Sequence, residues 1–168
     1  GAASYLRSLE GTGDAVGFWG LSYGGFLANA LATKTDSFDC VVNFAGIWDW
    51  RVWVRYATGR NWGAGRRFKP LFGGHPDDAS ERVEANYAEA SPKDHADDVD
   101  TPLFALHGTD DPNVQFAQMD DLVMDLVDQG DAFEMAYYPE EDHMFQKSET
   151  WQDALDRVLP FLETNLQG

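Results

Sequence analysis

The chain has 168 residues, of which 43% are hydrophobic and 14% aromatic, enough apolar material for one packed domain. Its 29 acidic and 12 basic residues give a formal net charge of -17, which excludes nucleic acid and anionic membrane surfaces as expected partners. No stretch reaches the ~18 consecutive apolar residues of a membrane helix, and the first residues lack a secretion signal, so we expect a cytoplasmic protein.

The acidic excess has a particular composition. Asp outnumbers Glu by 20 to 9, and only four of the 12 basic residues are Lys. This pattern is typical of proteins adapted to molar salt, in which carboxylates keep the surface hydrated and salt screens their repulsion. The Asp-rich stretches at residues 94–100 and 119–131 lack the ligand spacing and glycine turn of a calcium loop, so we expect solvated surface and no metal.

Four short apolar runs, each closed by Gly or Pro, predict β-strands at residues 15–20, 40–46, 102–108 and 133–139. The first three are apolar nearly throughout, which indicates parallel strands covered on both faces. The only cysteine, Cys40, begins the second run and is predicted to be a buried core residue.

Two later segments have the apolar spacing of helices. One runs from Phe116 to Val127 and should end at Gly130, whereas the other runs from Trp151 to Leu162 and should be bent or broken by Pro160. Strands that alternate with helices predict an α/β fold with a mainly parallel sheet flanked by helices. Residues 47–101, rich in Trp, Arg and Gly, are predicted to form a helical or irregular insertion above that sheet.

The stretch GLSYG, residues 20–24, matches the motif G-x-S-x-G directly after a predicted strand and before a helix. Ser22 would lie on a sharp, strained turn that exposes its hydroxyl at the carboxyl end of the sheet. We expect Gly20 and Gly24 to be required because strand and helix pass too closely for Cβ atoms. The backbone N–H of Tyr23, at the start of the helix, can face a developing oxyanion.

A serine nucleophile needs a base, and the base needs an orienting acid. Asp110 and Asp111 follow the third strand and His143 follows the fourth, which is the chain order Ser, Asp, His of α/β-hydrolases. Three such residues at three consecutive strand ends predict a catalytic triad. The remaining histidines are predicted to have loop or packing roles: His75, His95 and His107.

Three stretches together resemble the catalytic domain of the prolyl oligopeptidase family of serine peptidases, in particular its dipeptidyl-peptidase and acylaminoacyl-peptidase branches. They are GLSYGG (20–25), SPKDHADDVDTPLFALHGTDDPNV (91–114) and YPEEDHMF (138–145). The resemblance spans essentially the whole chain and implies an α/β-hydrolase that acts on short peptides without metal or cofactor. In the family the aspartate lies four residues after the His of HG, which selects Asp111. Ser22 would be the nucleophile, His143 the general base and the Tyr23 N–H one oxyanion donor.

The resemblance also implies substrate-binding residues. Asn113 falls where the family places a side chain that contacts a substrate carbonyl, although a turn role is an equal alternative. The stretch GIWDWRVWVRY (46–56) falls where the family builds an aromatic pocket for the residue before the scissile bond, so the candidates there are Trp50, Trp53 and Tyr56. The alternative is that these aromatics only pack the insertion onto the domain. One aromatic that the family often uses falls on Ala57.

The chain departs from the family at its start. In the family several strands and a second oxyanion donor precede the nucleophile strand, whereas only residues 1–14 precede it here. We therefore expect residues 1–168 to be the C-terminal part of the catalytic domain, lacking the N-terminal strands. If these residues were the entire molecule, the exposed edge of strand 15–20 would allow self-association. Three functions stay open: a peptidase acting on short peptides, a carboxylesterase-type hydrolase, and an inactive fragment without the second oxyanion donor.

Overall fold

The computed structural model describes residues 1–130 and 132–167, so Asp131 of the second Asp-rich stretch lies outside the described residues. Four strands form one parallel sheet in the order β1-β2-β3-β4. Their bounds are β1 Gly17–Leu21, β2 Cys40–Phe44, β3 Leu103–Gly108 and β4 Phe133–Tyr138. The fold is therefore α/β with a parallel sheet flanked by helices, as predicted.

Seven α-helices accompany the sheet in the described part of the chain: α1 Ala2–Arg7, α2 Tyr23–Lys34, α3 Trp50–Gly59, α4 Gly63–Phe68, α5 Glu81–Ala90, α6 Ala117–Gln129 and α7 Ser148–Leu166. Two 3-10 helices span Lys69–Phe72 and Pro92–Asp98. The predicted stop at Gly130 is confirmed, because this residue follows α6 in the left-handed conformation, with φ 82°. No described helix is long and apolar enough to cross a membrane.

The strands β2 and β3 are buried on both faces, as predicted, because their alternating side chains meet different helices. On one face Val41 and Leu103 belong to a cluster with residues of α2 and α6. On the other face Phe104 packs in a cluster with Val158 of α7. Cys40 is fully buried in the second cluster, and burial raises the pKa of its thiol to about 11.

Two sequence predictions fail locally, and a third fails in part. The helices cover β1 incompletely, so Trp19 is 43% exposed although its neighbour Phe18 packs into the core. On α6 the buried stripe is narrower than predicted and leaves Val127 57% exposed. Finally, of the bend or break predicted at Pro160, the break does not occur, because α7 continues to Leu166. Pro160 and Asp156, whose carbonyl loses its helical partner, are both exposed, so water can replace the missing hydrogen bond.

Between β2 and β3 the chain forms α3, α4, α5 and the two 3-10 helices. The Asp49 side chain caps α3 by accepting a hydrogen bond from the Arg51 N–H at 2.8 Å, and Ser80 caps α5. A third core cluster joins these helices to Ile47, which follows β2, and to Val114, which follows β3. The helical segment therefore packs at the carboxyl ends of the strands.

Candidate active site

Ser22 lies between β1 and α2 with φ 60° and ψ -114°, a backbone conformation that non-glycine residues rarely adopt. The Ser22 N–H donates a hydrogen bond to the Phe44 carbonyl at 2.8 Å, which fixes the turn against the end of β2. Tyr23 is the first residue of α2, so no carbonyl of the helix is available to its N–H. The strained turn thus presents the Ser22 hydroxyl beside a backbone donor at the positive end of a helix.

The glycines around this turn have unequal roles. A Cβ on Gly20 would overlap the Gly24 backbone, which agrees with the prediction for Gly20. The prediction for Gly24 is wrong, because a Cβ there would meet nothing within 4 Å in the described structure. Gly25 is the crowded position instead, since its Cβ would lie 2.6 Å from the Phe44 carbonyl oxygen and 2.7 Å from the Gly46 Cα. The side of α2 that faces β2 therefore begins at Gly25.

His143 and Asp111 form a hydrogen-bonded pair in which His143 Nδ1 lies 2.7 Å from Asp111 Oδ2. The other carboxylate oxygen, Oδ1, accepts the backbone N–H groups of Asn113 at 2.7 Å and Val114 at 2.9 Å. The Asp111 side chain is fully buried, whereas that of His143 is 12% exposed. Asp110 instead accepts a hydrogen bond from the Thr109 hydroxyl. The geometry thus places Asp111, and not its neighbour, against His143.

A second histidine contacts the same carboxylate. His107 is buried, with Nε2 2.9 Å from the Val114 carbonyl oxygen and 3.2 Å from Asp111 Oδ2. Burial by itself would raise the pKa of Asp111. The hydrogen bonds from His107, His143 and the Val114 N–H outweigh it and lower the pKa to about 2. Asp111 is therefore ionised at neutral pH and available to stabilise a protonated His143.

The loops that carry Asp111 and His143 are joined through Glu141. The Glu141 carbonyl accepts the Asp110 N–H at 3.0 Å, and a Cβ on Gly108 would overlap that carbonyl. The buried Glu141 carboxylate accepts the Thr150 hydroxyl at 2.6 Å and the Gln146 N–H at 2.5 Å. Sequence reasoning missed Glu141, because nothing in the stretch EED distinguishes a buried carboxylate from its exposed neighbours.

Ser22 and His143 open onto one cavity of about 220 Å³. It is lined by Ser22, Tyr23, Ile47, Trp50, Trp53, Trp62, Ala64, Phe68, Asn113, Val114 and His143. Trp50, Trp53 and Asn113 were sequence candidates. Tyr56 was also a candidate but does not line the cavity, because its hydroxyl points to the Pro112 carbonyl, to which it donates at 2.9 Å. The described hydrogen bonds include none between the Ser22 hydroxyl and His143.

Part of the cavity wall comes from α4, which sequence reasoning did not assign to the site. Ala57 is fully buried, and a Cβ on Gly65 would lie 2.8 Å from its Cβ, so two small residues allow α4 to pack closely on α3. This contact brings Phe68 onto Trp50, with ring centroids 5.2 Å apart, and Trp62 lies 5.7 Å from Trp53. The only sequence signal was the richness of this segment in Trp and Gly.

Larger cavities, of about 250, 470, 530 and 620 Å³, contain none of the residues Ser22, Asp111 or His143. Within residues 1–130 and 132–167, no cluster of three or more His, Cys, Asp or Glu side chains could hold a metal ion. A serine on a strand-to-helix turn, with an aspartate and a histidine at the ends of later parallel strands, defines the class as α/β-hydrolase.

The chain belongs to the prolyl oligopeptidase family, whose model matches residues 2–168. It is 30% identical over 158 residues to dipeptidyl peptidase 8 of Homo sapiens, covering 91% of this chain and 16% of that protein. It is 31% identical over 149 residues to venom dipeptidyl peptidase 4 of Apis mellifera, covering 88% of this chain and 16% of that protein. The chain thus spans about one sixth of the length of these relatives.

Solved structures of two peptidases share the fold. A puromycin-hydrolyzing peptidase of Mycobacterium tuberculosis superposes with a TM-score of 0.86 at 28% identity, over 99% of this chain and 24% of that one. The Pyrococcus horikoshii acylaminoacyl peptidase superposes with a TM-score of 0.84 at 23% identity, over 99% of this chain and 27% of that one. The second likeness is one of fold alone.

Proposed function

We propose that this chain is the catalytic part of a serine peptidase that hydrolyses short peptides after an apolar residue. The observation that supports this most directly is the 2.7 Å bond between His143 Nδ1 and Asp111 Oδ2, made by a histidine that shares its cavity with Ser22. Membership of the prolyl oligopeptidase family supports the same assignment.

The proposed mechanism is two-step acyl transfer. Ser22 Oγ attacks the peptide carbonyl carbon while His143 Nε2 accepts its proton, and Asp111 stabilises the imidazolium that forms. The Tyr23 N–H donates to the oxyanion. Collapse of the tetrahedral intermediate breaks the C–N bond, and His143 protonates the departing amine. His143 then removes a proton from a water molecule, which attacks the acyl carbon. The ester bond between this carbon and Ser22 Oγ breaks, His143 returns the proton to Oγ, and the carboxylic acid product leaves. No metal or cofactor enters this sequence.

The cavity next to Ser22 supports specificity for an apolar residue before the scissile bond. Trp50, Trp53 and Phe68 line it with aromatic rings, and it contains no Asp, Glu, Lys or Arg side chain. A charged substrate side chain would lose its hydration there without gaining a partner. The relatives named dipeptidyl peptidases support a peptide substrate with a short acyl part.

The test is a panel of peptide anilides and matched p-nitrophenyl esters, assayed on the parent chain and on Ser22→Ala. We expect hydrolysis of both anilides and esters with Phe or Leu before the scissile bond, a large loss with Lys or Glu there, and no turnover by Ser22→Ala. Cleavage of esters while every anilide stays intact would contradict a peptidase and favour the carboxylesterase alternative.

Four further properties belong to the same proposal. The acidic surface supports activity in high salt, and the charge of -17 supports the absence of nucleic-acid and anionic-membrane partners. The cytoplasm is the proposed location. Self-association through the edge of β1 is proposed for residues 1–168 in isolation, because within the described residues β1 pairs only with β2.

A further inference from the structure

The positive charge of this acidic chain is concentrated in one segment. Residues 50–76 contain six of the 12 basic residues and none of the 29 acidic ones. Two of the six are bound to carboxylates from neighbouring segments: Arg51 lies 2.7 Å from Asp94, and Arg55 lies 2.6 Å from Asp77. The charges of these two arginines are therefore already paired with carboxylates of the same protein.

The other four cations of the segment are Arg60, Arg66, Arg67 and Lys69, here called the basic rim. In the described part of the chain none of them lies within 4.0 Å of a carboxylate oxygen. Arg60 donates to the Tyr56 hydroxyl at 3.0 Å, and Arg66 donates to the Asn61 side-chain oxygen at 2.9 Å, so these partners are neutral.

Elsewhere in the described structure, unpaired cations are the exception. Five of the six basic residues outside the segment lie within 4.0 Å of a carboxylate: Arg7, Lys34, Lys93, Lys147 and Arg157. Only Arg82 does not. Since carboxylates outnumber cations more than twofold, four unpaired cations within ten residues form a local positive surface on an otherwise negative protein.

This surface adjoins the candidate active site. The same segment supplies Trp62, Ala64 and Phe68 to the cavity wall. Arg67 lies three residues after Ala64 on α4, so the two are neighbours on the helix surface. Arg60 holds the Tyr56 hydroxyl, which in turn donates to the Pro112 carbonyl next to Asn113 of the cavity. Arg67 is therefore one helical turn from a lining residue, and Arg60 is linked through Tyr56 to the loop that carries another.

We propose that the basic rim binds acidic side chains of the peptide substrate, on either side of the apolar residue that enters the cavity. This inference rests on the proposed peptidase function. A net charge of -17 repels acidic peptides from most of the surface, whereas the unpaired cations of the basic rim attract them. Arginine suits this role because its planar guanidinium can bind a carboxylate with two parallel hydrogen bonds.

The experiment measures equilibrium binding to Ser22→Ala, which cannot turn over the substrate. Two hexapeptides with a central Phe, one with flanking Glu and one with flanking Gln, are labelled with a neutral dye and followed by fluorescence anisotropy. The rim is neutralised with Arg60→Gln and Arg67→Gln together. Arg82→Gln is the matched control, because it removes an unpaired arginine from outside the rim.

We expect the Glu peptide to bind about fivefold more tightly than the Gln peptide to both Ser22→Ala and the Arg82→Gln control. Rim neutralisation should abolish this preference, so that the two peptides bind that variant with equal affinity. Equal affinities, no measurable binding of the Glu peptide, or a preference that survives rim neutralisation would overturn the proposal.

A parallel turnover assay of the parent chain separates this inference from the proposed function. If both peptides are hydrolysed at equal rates and bind with equal affinities, the peptidase function is supported. The proposal that the basic rim binds acidic side chains is then overturned. A different outcome is that the parent hydrolyses neither peptide while Ser22→Ala still prefers the Glu peptide through Arg60 and Arg67. That result would support binding of acidic peptides by the basic rim and contradict the peptidase function.

Discussion

His143 donates a 2.7 Å hydrogen bond from Nδ1 to Oδ2 of Asp111, a residue 32 positions earlier at the end of the neighbouring strand. Parallel pairing of β3 with β4 brings the two loops to the same edge of the sheet. The bond fixes the imidazole so that Nε2 is left for the Ser22 side of the site. Everything proposed about catalysis depends on this pair.

The lowered pKa of Asp111 predicts a pH-dependent contribution to stability. Its pKa falls from 3.8 to about 2 on folding, so its contribution is fully present above pH 3.8 and is lost as the pH falls towards 2. Urea unfolding of the parent and of Asp111→Asn should give a stability difference that shrinks by about 2 kcal/mol over this window. The other carboxylates titrate in both proteins, so a difference independent of pH would contradict the assignment.

Glu141→Gln should loosen the loop that holds His143. Thr150 and Gln146 both donate to the carboxylate, and an amide offers only one oxygen to these two donors. We expect a loss of about 2 kcal/mol in the free energy of unfolding and a roughly tenfold slower reaction at Ser22. The downfield proton NMR signal of the His143 Nδ1–H should broaden.

Glu140→Gln is the control for this variant, because Glu140 is adjacent in sequence and its side chain is 84% exposed. It should leave stability, the reaction at Ser22 and the NMR signal unchanged. Equal effects of both substitutions would mean that the loss of one negative charge, and not the buried anchor, is responsible.

Gly24→Ala and Gly25→Ala should have opposite effects although the residues are adjacent. A Cβ on Gly24 meets nothing within 4 Å, so alanine there should stabilise α2 by about 0.5 to 1 kcal/mol. A Cβ on Gly25 would press against the Phe44 carbonyl, which should cost about 3 kcal/mol. Thermal unfolding followed by circular dichroism compares the two, and equal shifts in Tm would contradict this account of the turn.

The strands and the order of the candidate catalytic residues were predictable because each depends on local sequence. Apolar runs located β2 and β3 within two residues, and parallel strands necessarily end on one edge, which brings Asp111 and His143 together. The crowding at Gly25 depends instead on the direction in which α2 leaves the turn. No local pattern encodes that direction.

The parts of the site that sequence reasoning missed depend on tertiary contacts. Phe68 lines the cavity on a helix that packs closely on α3 at Ala57 and Gly65. The buried Glu141 carboxylate accepts a hydrogen bond from Thr150 in the first turn of α7. The unbroken α7 likewise reflects solvent exposure around Pro160, which is a property of the folded surface. Propensity rules describe residues one element at a time and do not contain these contacts.

Covalent labelling by a fluorophosphonate tests directly whether His143 and Asp111 activate Ser22. Intact mass and peptide mapping would be measured in high potassium chloride on the parent, Ser22→Ala and Asp111→Asn, each shown to be folded by circular dichroism. We expect one adduct on Ser22 of the parent, none on Ser22→Ala, and labelling of Asp111→Asn slowed on the order of 10⁴-fold. The absence of an adduct on the folded parent would contradict activation of Ser22 by His143 and Asp111. Equal labelling rates of the parent and Asp111→Asn would contradict it as well.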